Sequence, residues 1–217
     1  MFDIESEGAK SVAIALVALI WIGNIVLGLS VIPAWRRDGA PFVRTAAAKS
    51  AAIFGERGLL HRGGDLVATA ERGVASMHLV DLGSGDGTIV RAATRTGGFG
   101  RATGYEINPF LVAASRVLSF GRPAERFRCE SMWDADLREV DVVVVYGLPP
   151  IMERMGAKLL GELPEHALVV SNAYELPSLG KPAVIRHVDT PLLSGDASSS
   201  LYVYRMSESR RARNKAK

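Results

Sequence analysis

Cysteine is almost absent from this chain: Cys129 is the only one in 217 residues, so no internal disulfide can form. Such usage suits a reducing compartment. Histidine is sparse as well. His61, His78, His166 and His187 have no metal-ligand spacing among them, which argues against a catalytic metal. No Gly-x-Ser-x-Gly elbow occurs, so a serine nucleophile of the α/β-hydrolase type is not expected. Internal repeats are missing. Charge is missing altogether from residues 11–32, where Asn24 is the one strongly polar side chain.

That uncharged run is the first thing present in strength. A helix of about 20 apolar residues crosses a bilayer core of roughly 30 Å, and this run is long enough. A cleaved signal peptide would start basic and be shorter; here Asp3, Glu5 and Glu7 precede the run, with Lys10 alone against them. A buried core helix would carry a polar stripe, and none is visible. The segment therefore reads as an uncleaved transmembrane helix over residues 11–35, after a short N-terminal segment, 1–10. Arg36, Arg37, Arg44 and Lys49 follow the span and Trp35 stands at its edge. Loops rich in Lys and Arg stay inside, so the rest of the chain is expected on the cytoplasmic side, or the matrix side if mitochondrial.

Residues 36–75 are rich in alanine and basic side chains. Ala46–Phe54 and Leu59–Ala70 read as helices interrupted at Gly63-Gly64. From 76 to 206 strands and helices alternate. Strands are expected at 77–82, 101–106, 125–130, 140–146 and 167–171, and helices at 88–96, 109–120 and 151–163. Two further strands at 183–188 and 201–206 flank a Gly/Ser-rich turn. Asn108 is placed to cap the helix that Pro109 opens. The run Val-Asp-Val-Val-Val-Val-Tyr, 140–146, is of the kind buried on both faces of a parallel sheet. The fold class expected is α/β, a doubly wound Rossmann-like sheet. The end, 207–217, carries Arg210, Arg211, Arg213, Lys215 and Lys217 and reads as a basic disordered tail. It would suit anionic lipid at about 1 kcal/mol per basic residue, and no nucleic acid partner is expected.

Residues 80–87 read Val-Asp-Leu-Gly-Ser-Gly-Asp-Gly, and 104–109 read Gly-Tyr-Glu-Ile-Asn-Pro. Glycines at 83, 85 and 87 let the backbone turn tightly and approach a ligand. A dinucleotide site usually reads Gly-x-Gly-x-x-Gly, with a helix end facing a pyrophosphate. This loop has a different spacing and places Asp86 where a diphosphate would be repelled. A cofactor with no phosphate and two cationic centres fits better: S-adenosylmethionine, with Asp81 and Asp86 near its charges. Glu106, one strand on, suits both ribose hydroxyls as a bidentate acceptor. The spacing favours a methyltransferase over a Rossmann oxidoreductase.

Those two motifs, with Met132-Trp133 and Tyr-Gly-Leu-Pro-Pro at 146–150, resemble the small membrane-anchored seven-strand lysine methyltransferases. Their best-known members modify the ATP synthase c subunit and the adenine nucleotide translocase. Pro41-Phe42-Val43 is similar to that family's pre-core segment. The resemblance implies a class I S-adenosylmethionine-dependent enzyme acting on a protein lysine near a membrane. It implies that Asp81, Gly83, Gly85 and Gly87 hold the methionine part and Glu106 the ribose, with Asn108, Met132 and Trp133 bordering the adenine; Ser84 and Asp86, in the same loop, are counted among the cofactor-binding residues. Three departures stand out. Ser131-Met132-Trp133 replaces the family's Asp-Leu-Trp, so a carboxylate is missing unless Glu130 or the Ser131 hydroxyl substitutes. Thr88 stands where arginine is common, and 172–182 is short for a crossover helix. Tyr146, Gly147, Leu148 and Pro149 follow the fourth strand, where the methyl acceptor should approach; Tyr146 is the candidate catalytic residue, as pocket wall or partner of the amine.

Overall fold

A computed structural model describes residues 45, 47–61, 66, 73–190 and 200–215, with 12, 14 and 17 besides. The chain divides into two units, Met1–Pro41 and Phe42–Lys217, and the architecture below is that of the second. The expected transmembrane helix lies outside the described residues, except that Val12, Ile14 and Val17 are helical and exposed. Among the described residues no helix is long and apolar enough to cross a membrane.

After helix α1 (Ala47–Phe54), strands and helices alternate: β1 (His78–Leu82), α2 (Thr88–Arg95), β2 (Arg101–Tyr105), α3 (Pro109–Leu118), β3 (Glu125–Arg128), β4 (Val142–Val145), α4 (Pro149–Glu162) and β5 (Leu168–Asn172). Then come β6 (Val184–His187), β7 (Ser200–Arg205) and α5 (Met206–Lys215). The seven strands form one sheet in the order β3-β2-β1-β4-β5-β7-β6. Its first five strands run parallel, while β7 is antiparallel to both β5 and β6. The strand order reverses between β1 and β4, which opens a crevice at their carboxyl ends. The segment between β5 and β6 holds only a short 3-10 turn, Pro177–Leu179, in place of a crossover helix.

Apolar side chains alternate between two layers. Leu79, Val142, Val144, Leu168 and Val170 face α1 and α2 in one cluster, and Val80, Leu82, Val143, Val145 and Val169 face α4 in the other. Burying each of the four β4 valines stabilises the fold by about 1.5–3 kcal/mol. Asn108 caps α3 as expected: its Oδ1 accepts from the amides of Phe110 at 3.0 Å and Leu111 at 3.5 Å.

Three expectations need correction. The final residues are not a disordered tail through 215. α5 continues straight from β7, with Met206 and Ser209 buried, and the Arg210 guanidinium donates to the carbonyls of Leu160 and Leu163. Those carbonyls end α4 and lack helical partners, so a cation there satisfies them. Leu59 and Leu60 lie in a turn rather than opening a second helix, because their amides bond back to the carbonyls of Ala52 and Ile53; most of the rest of that stretch lies outside the described residues. Lys49, counted with the charges that orient the span, is instead fully buried.

Candidate active site

The glycine loop joins β1 to α2 over the crevice. Amides of Gly83 and Ser84 both donate to the Tyr105 carbonyl at 2.9 Å, which ties the loop to the end of β2. Gly83, Gly85 and Gly87 all have left-handed backbones, with φ of 87°, 53° and 76°. The reasons for glycine differ along the loop. A β-carbon on Gly87 would lie 2.5 Å from the Phe127 ring, so packing excludes one there. A β-carbon on Gly83 would meet nothing within 4 Å. It would project into open space at the crevice, where a ligand can come against bare backbone.

Around this turn stand three carboxylates. Glu106 follows β2 and accepts the amide of Gly85 at 2.9 Å with one oxygen and that of Asn108 at 2.8 Å with the other. Asp86 accepts the amide and hydroxyl of Thr88 at 3.1 and 2.7 Å, which opens α2. From α2, Arg91 reaches back and donates to the Asp86 carbonyl at 2.7 Å. Asp81 is 5% exposed. Burial, with the negative charges of Glu106 and Asp86, pushes its carboxyl up to about 8. A buried acid flanked by two others is a site short of positive charge, and a cationic ligand would restore its ionised form. In the same loop the Ser84 hydroxyl, packed against Gly104 of β2, is buried without a partner. Open space before Gly83, clustered acids and an unmet hydroxyl together fit the amino acid part of S-adenosylmethionine.

On the side expected to take the adenine, Met132–Asp134 form a 3-10 turn capped by Ser131, whose hydroxyl oxygen accepts the Trp133 amide at 3.3 Å. Glu130 turns away to Arg128 at 3.3 Å on the surface. Neither substitutes for the missing carboxylate by placement alone. The Arg154 guanidinium lies 4.0 Å over the Trp133 ring, and the indole N–H is buried with no partner. Asn108 is buried, but its side-chain oxygen serves the start of α3, so it supports the site through the helix and through Glu106.

On the side expected to take the acceptor, Tyr146 is half-buried just past β4, and Gly147, Leu148 and Pro149 lead into α4, with Leu148 as its N-cap and 39% exposed. A β-carbon on Gly147 would lie 2.7 Å from the Met152 sulfur, so a larger residue there would have to displace that side chain. Two residues here escaped sequence reasoning. Lys49 comes in from α1, its Nζ 5.6 Å from the Tyr146 ring centroid, and donates to Asn172 Oδ1 at 2.7 Å. Only the alanine-rich periodicity of α1, which puts position 49 on its buried side with Ile53, could have drawn attention to that lysine. His78 lies at the opposite, amino end of β1. Burial and the adjacent Arg101 hold its imidazole down at about 4, and it bonds Thr103 and Arg101 at 2.9 Å.

Comparison with known proteins agrees with this geometry. Residues 81–183 match the model of the ANTKMT methyltransferase domain. The adenine nucleotide translocase lysine N-methyltransferase of Mus musculus is 38% identical over 110 residues, covering 49% of this chain and 48% of that one. The lysine N-methyltransferase of the ATP synthase c subunit from Rattus norvegicus is 32% identical, covering 61% and 57%. This chain thus spans about half the length of the curated relatives it matches. A solved RNA methyltransferase from Salinibacter ruber, with S-adenosyl-L-homocysteine, is 33% identical over 61% of this chain and 82% of that one, at a TM-score of 0.49. The resemblance read from the glycine loop and its partner motifs is therefore borne out: residues 81–183 match the ANTKMT methyltransferase domain, and the chain is similar to the lysine N-methyltransferases of the adenine nucleotide translocase and of the ATP synthase c subunit.

Proposed function

We propose that this chain is an S-adenosylmethionine-dependent methyltransferase that transfers methyl to a lysine of a membrane-associated protein. The observation that carries the reading is the carboxylate set Asp81, Asp86 and Glu106 around a glycine turn open in front of Gly83. Asp81 and the loop from Gly83 to Gly87 hold the methionine part, and Glu106, pinned by two backbone amides, accepts from the ribose. Met132 and Trp133 flank the adenine. The relatives named above supply the lysine acceptor and the association with membrane proteins.

When bound, the cofactor supplies an electrophilic methyl group; the chain supplies position and exclusion of water. Tyr146, Gly147, Leu148 and Pro149 wall the approach to the carboxyl end of β4. An ammonium has no lone pair, so the acceptor lysine must arrive neutral. We assign residues 11–35 as the membrane span, 36–75 as the lead-in and 76–206 as the catalytic domain, held on the cytoplasmic or matrix side. Among the described residues, Arg211, Arg213 and Lys215, exposed on α5, are the basic groups of the tail left to meet anionic headgroups, since Arg210 is taken up by α4.

Radiolabelled methyl transfer into membrane extracts, followed by partition into protein and lipid fractions, tests this reading. Label in protein that is stable to base supports it. Label in the organic phase would make the acceptor a lipid, and no label in either fraction would remove the activity.

A further inference from the structure

Asn172 ends β5 on the same face of the sheet as Asp81 and Tyr146. Asp81 pairs in register with Val144 and Val144 with Val170. Tyr146 and Asn172 each lie two residues further along, so all three side chains stand on the α1 side at the carboxyl edge. Two strand spacings, about 10 Å, and a two-residue step along the strand, about 7 Å, separate Asn172 from Asp81. Asn172 is 2% exposed. Its oxygen is committed to the Lys49 ammonium at 2.7 Å, which fixes which end of the amide is which. The other end, Nδ2, is buried with no partner. Buried amide donors are almost always met, and this one sits at the crevice where ligands of such sheets bind. Directly after it the backbone enters the left-handed region at Ala173, φ 79°, without being glycine. That conformation is held by the Ala173 amide donating to the Ser200 carbonyl at 2.9 Å and by the Ser171 hydroxyl donating to the Tyr174 carbonyl at 2.6 Å.

Sign and polarity decide what can bind. With its oxygen occupied, Asn172 presents hydrogen-bond donors only, and Lys49 beside it is itself a cation. An acceptor lysine, charged or neutral, is the wrong ligand: its ammonium would be repelled, and its lone pair must stay free for methyl transfer. An oxygen acceptor is the right one. We propose that Asn172, locked by Lys49, is the donor of a subsite for a carboxyl or carbonyl oxygen at the carboxyl ends of β4 and β5. The inference rests on the methyl-transfer reading, which provides two sources for that oxygen: the α-carboxylate of the cofactor and a main-chain carbonyl of the acceptor protein. Lys49 is then a positioning residue, acting through Asn172.

Calorimetric titration of the full chain in detergent, with S-adenosylhomocysteine and with methylthioadenosine, which lacks the amino acid part, tests the proposal. The variants are Asn172→Ala and Asn172→Asp; the second keeps an oxygen for Lys49 and removes the donor. If the oxygen belongs to the cofactor, both variants bind S-adenosylhomocysteine at least tenfold more weakly and methylthioadenosine as well as the parent does. If it belongs to the acceptor, cofactor affinity is unchanged and the half-saturating amount of membrane extract in the radiolabel assay rises at least tenfold. Variants that match the parent in both assays overturn the subsite, as do variants that weaken both ligands alike. A parent protein silent to both nucleosides overturns the methyl-transfer reading itself.

Discussion

Replacing Asp81 by asparagine should make the ligand-free protein more stable and its hold on the cofactor weaker. In the unfolded chain this carboxyl has its ordinary value of 3.8, and in the fold burial, Glu106 and Asp86 raise it to about 8. The folded state therefore holds a proton that the unfolded chain releases between those two pH values, and stability falls as pH rises through that window. The cost is about 1.4 kcal/mol per pH unit, on the order of 4 kcal/mol by pH 7. For a chain of this size 1 kcal/mol moves Tm by about 2–4 °C. Thermal scans of the ligand-free parent should accordingly show Tm dropping by on the order of 10 °C from pH 5 to pH 8. The Asp81→Asn variant should be flat over that range and more stable than the parent at pH 8. Binding runs the other way. A hydrogen bond to a charged group contributes about 1.5–3 kcal/mol, so the variant should bind S-adenosylmethionine roughly 10- to 150-fold more weakly at pH 8. A parent whose Tm ignores pH in this window, or a variant that is destabilised at pH 8, would refute the electrostatic reasoning.

Gly83→Ala adds a methyl that meets nothing in the ligand-free protein but strains a positive φ, so Tm should fall by only a few degrees while cofactor affinity falls at least tenfold; equal small effects on both would remove Gly83 from the site. Gly87→Ala should instead destabilise by about 2 kcal/mol or more, because its β-carbon meets the Phe127 ring at 2.5 Å, as read by denaturant midpoints. Glu106→Ala leaves the Gly85 and Asn108 amides unmet and should cost about 1–3 kcal/mol of stability as well as nucleoside affinity; methylthioadenosine titration checks the second effect. Arg210→Ala frees the α4 carbonyls and should lower Tm without altering cofactor affinity, which would show α5 to be a structural element.

Much of this fold was legible because two local signals were strong. The four-valine core of β4 and the Asn108-Pro109 helix start each dictate their conformation from a few neighbouring residues. The loop was legible for a similar reason: alternate glycines with flanking acids leave few backbone solutions. What stayed hidden depends on contacts distant in sequence. Lys49 and Asn172 meet across 123 positions, and nothing near either residue announces the pairing. The α5 helix was missed because its basic composition reads as solvated, whereas its docking depends on Arg210 reaching carbonyls that only the fold places nearby. Ser131 and Glu130 were read as possible stand-ins for a missing carboxylate; one caps a turn and the other pairs with Arg128, choices made by local geometry that spacing alone does not reveal.

Direct titration of S-adenosylmethionine into the parent protein and into the double variant Asp81→Asn/Glu106→Gln is the sharpest test of the pocket. Saturable one-to-one binding by the parent, abolished in a double variant that still melts cooperatively, is the predicted result. Undiminished binding by that variant, or none by the parent, would contradict the account.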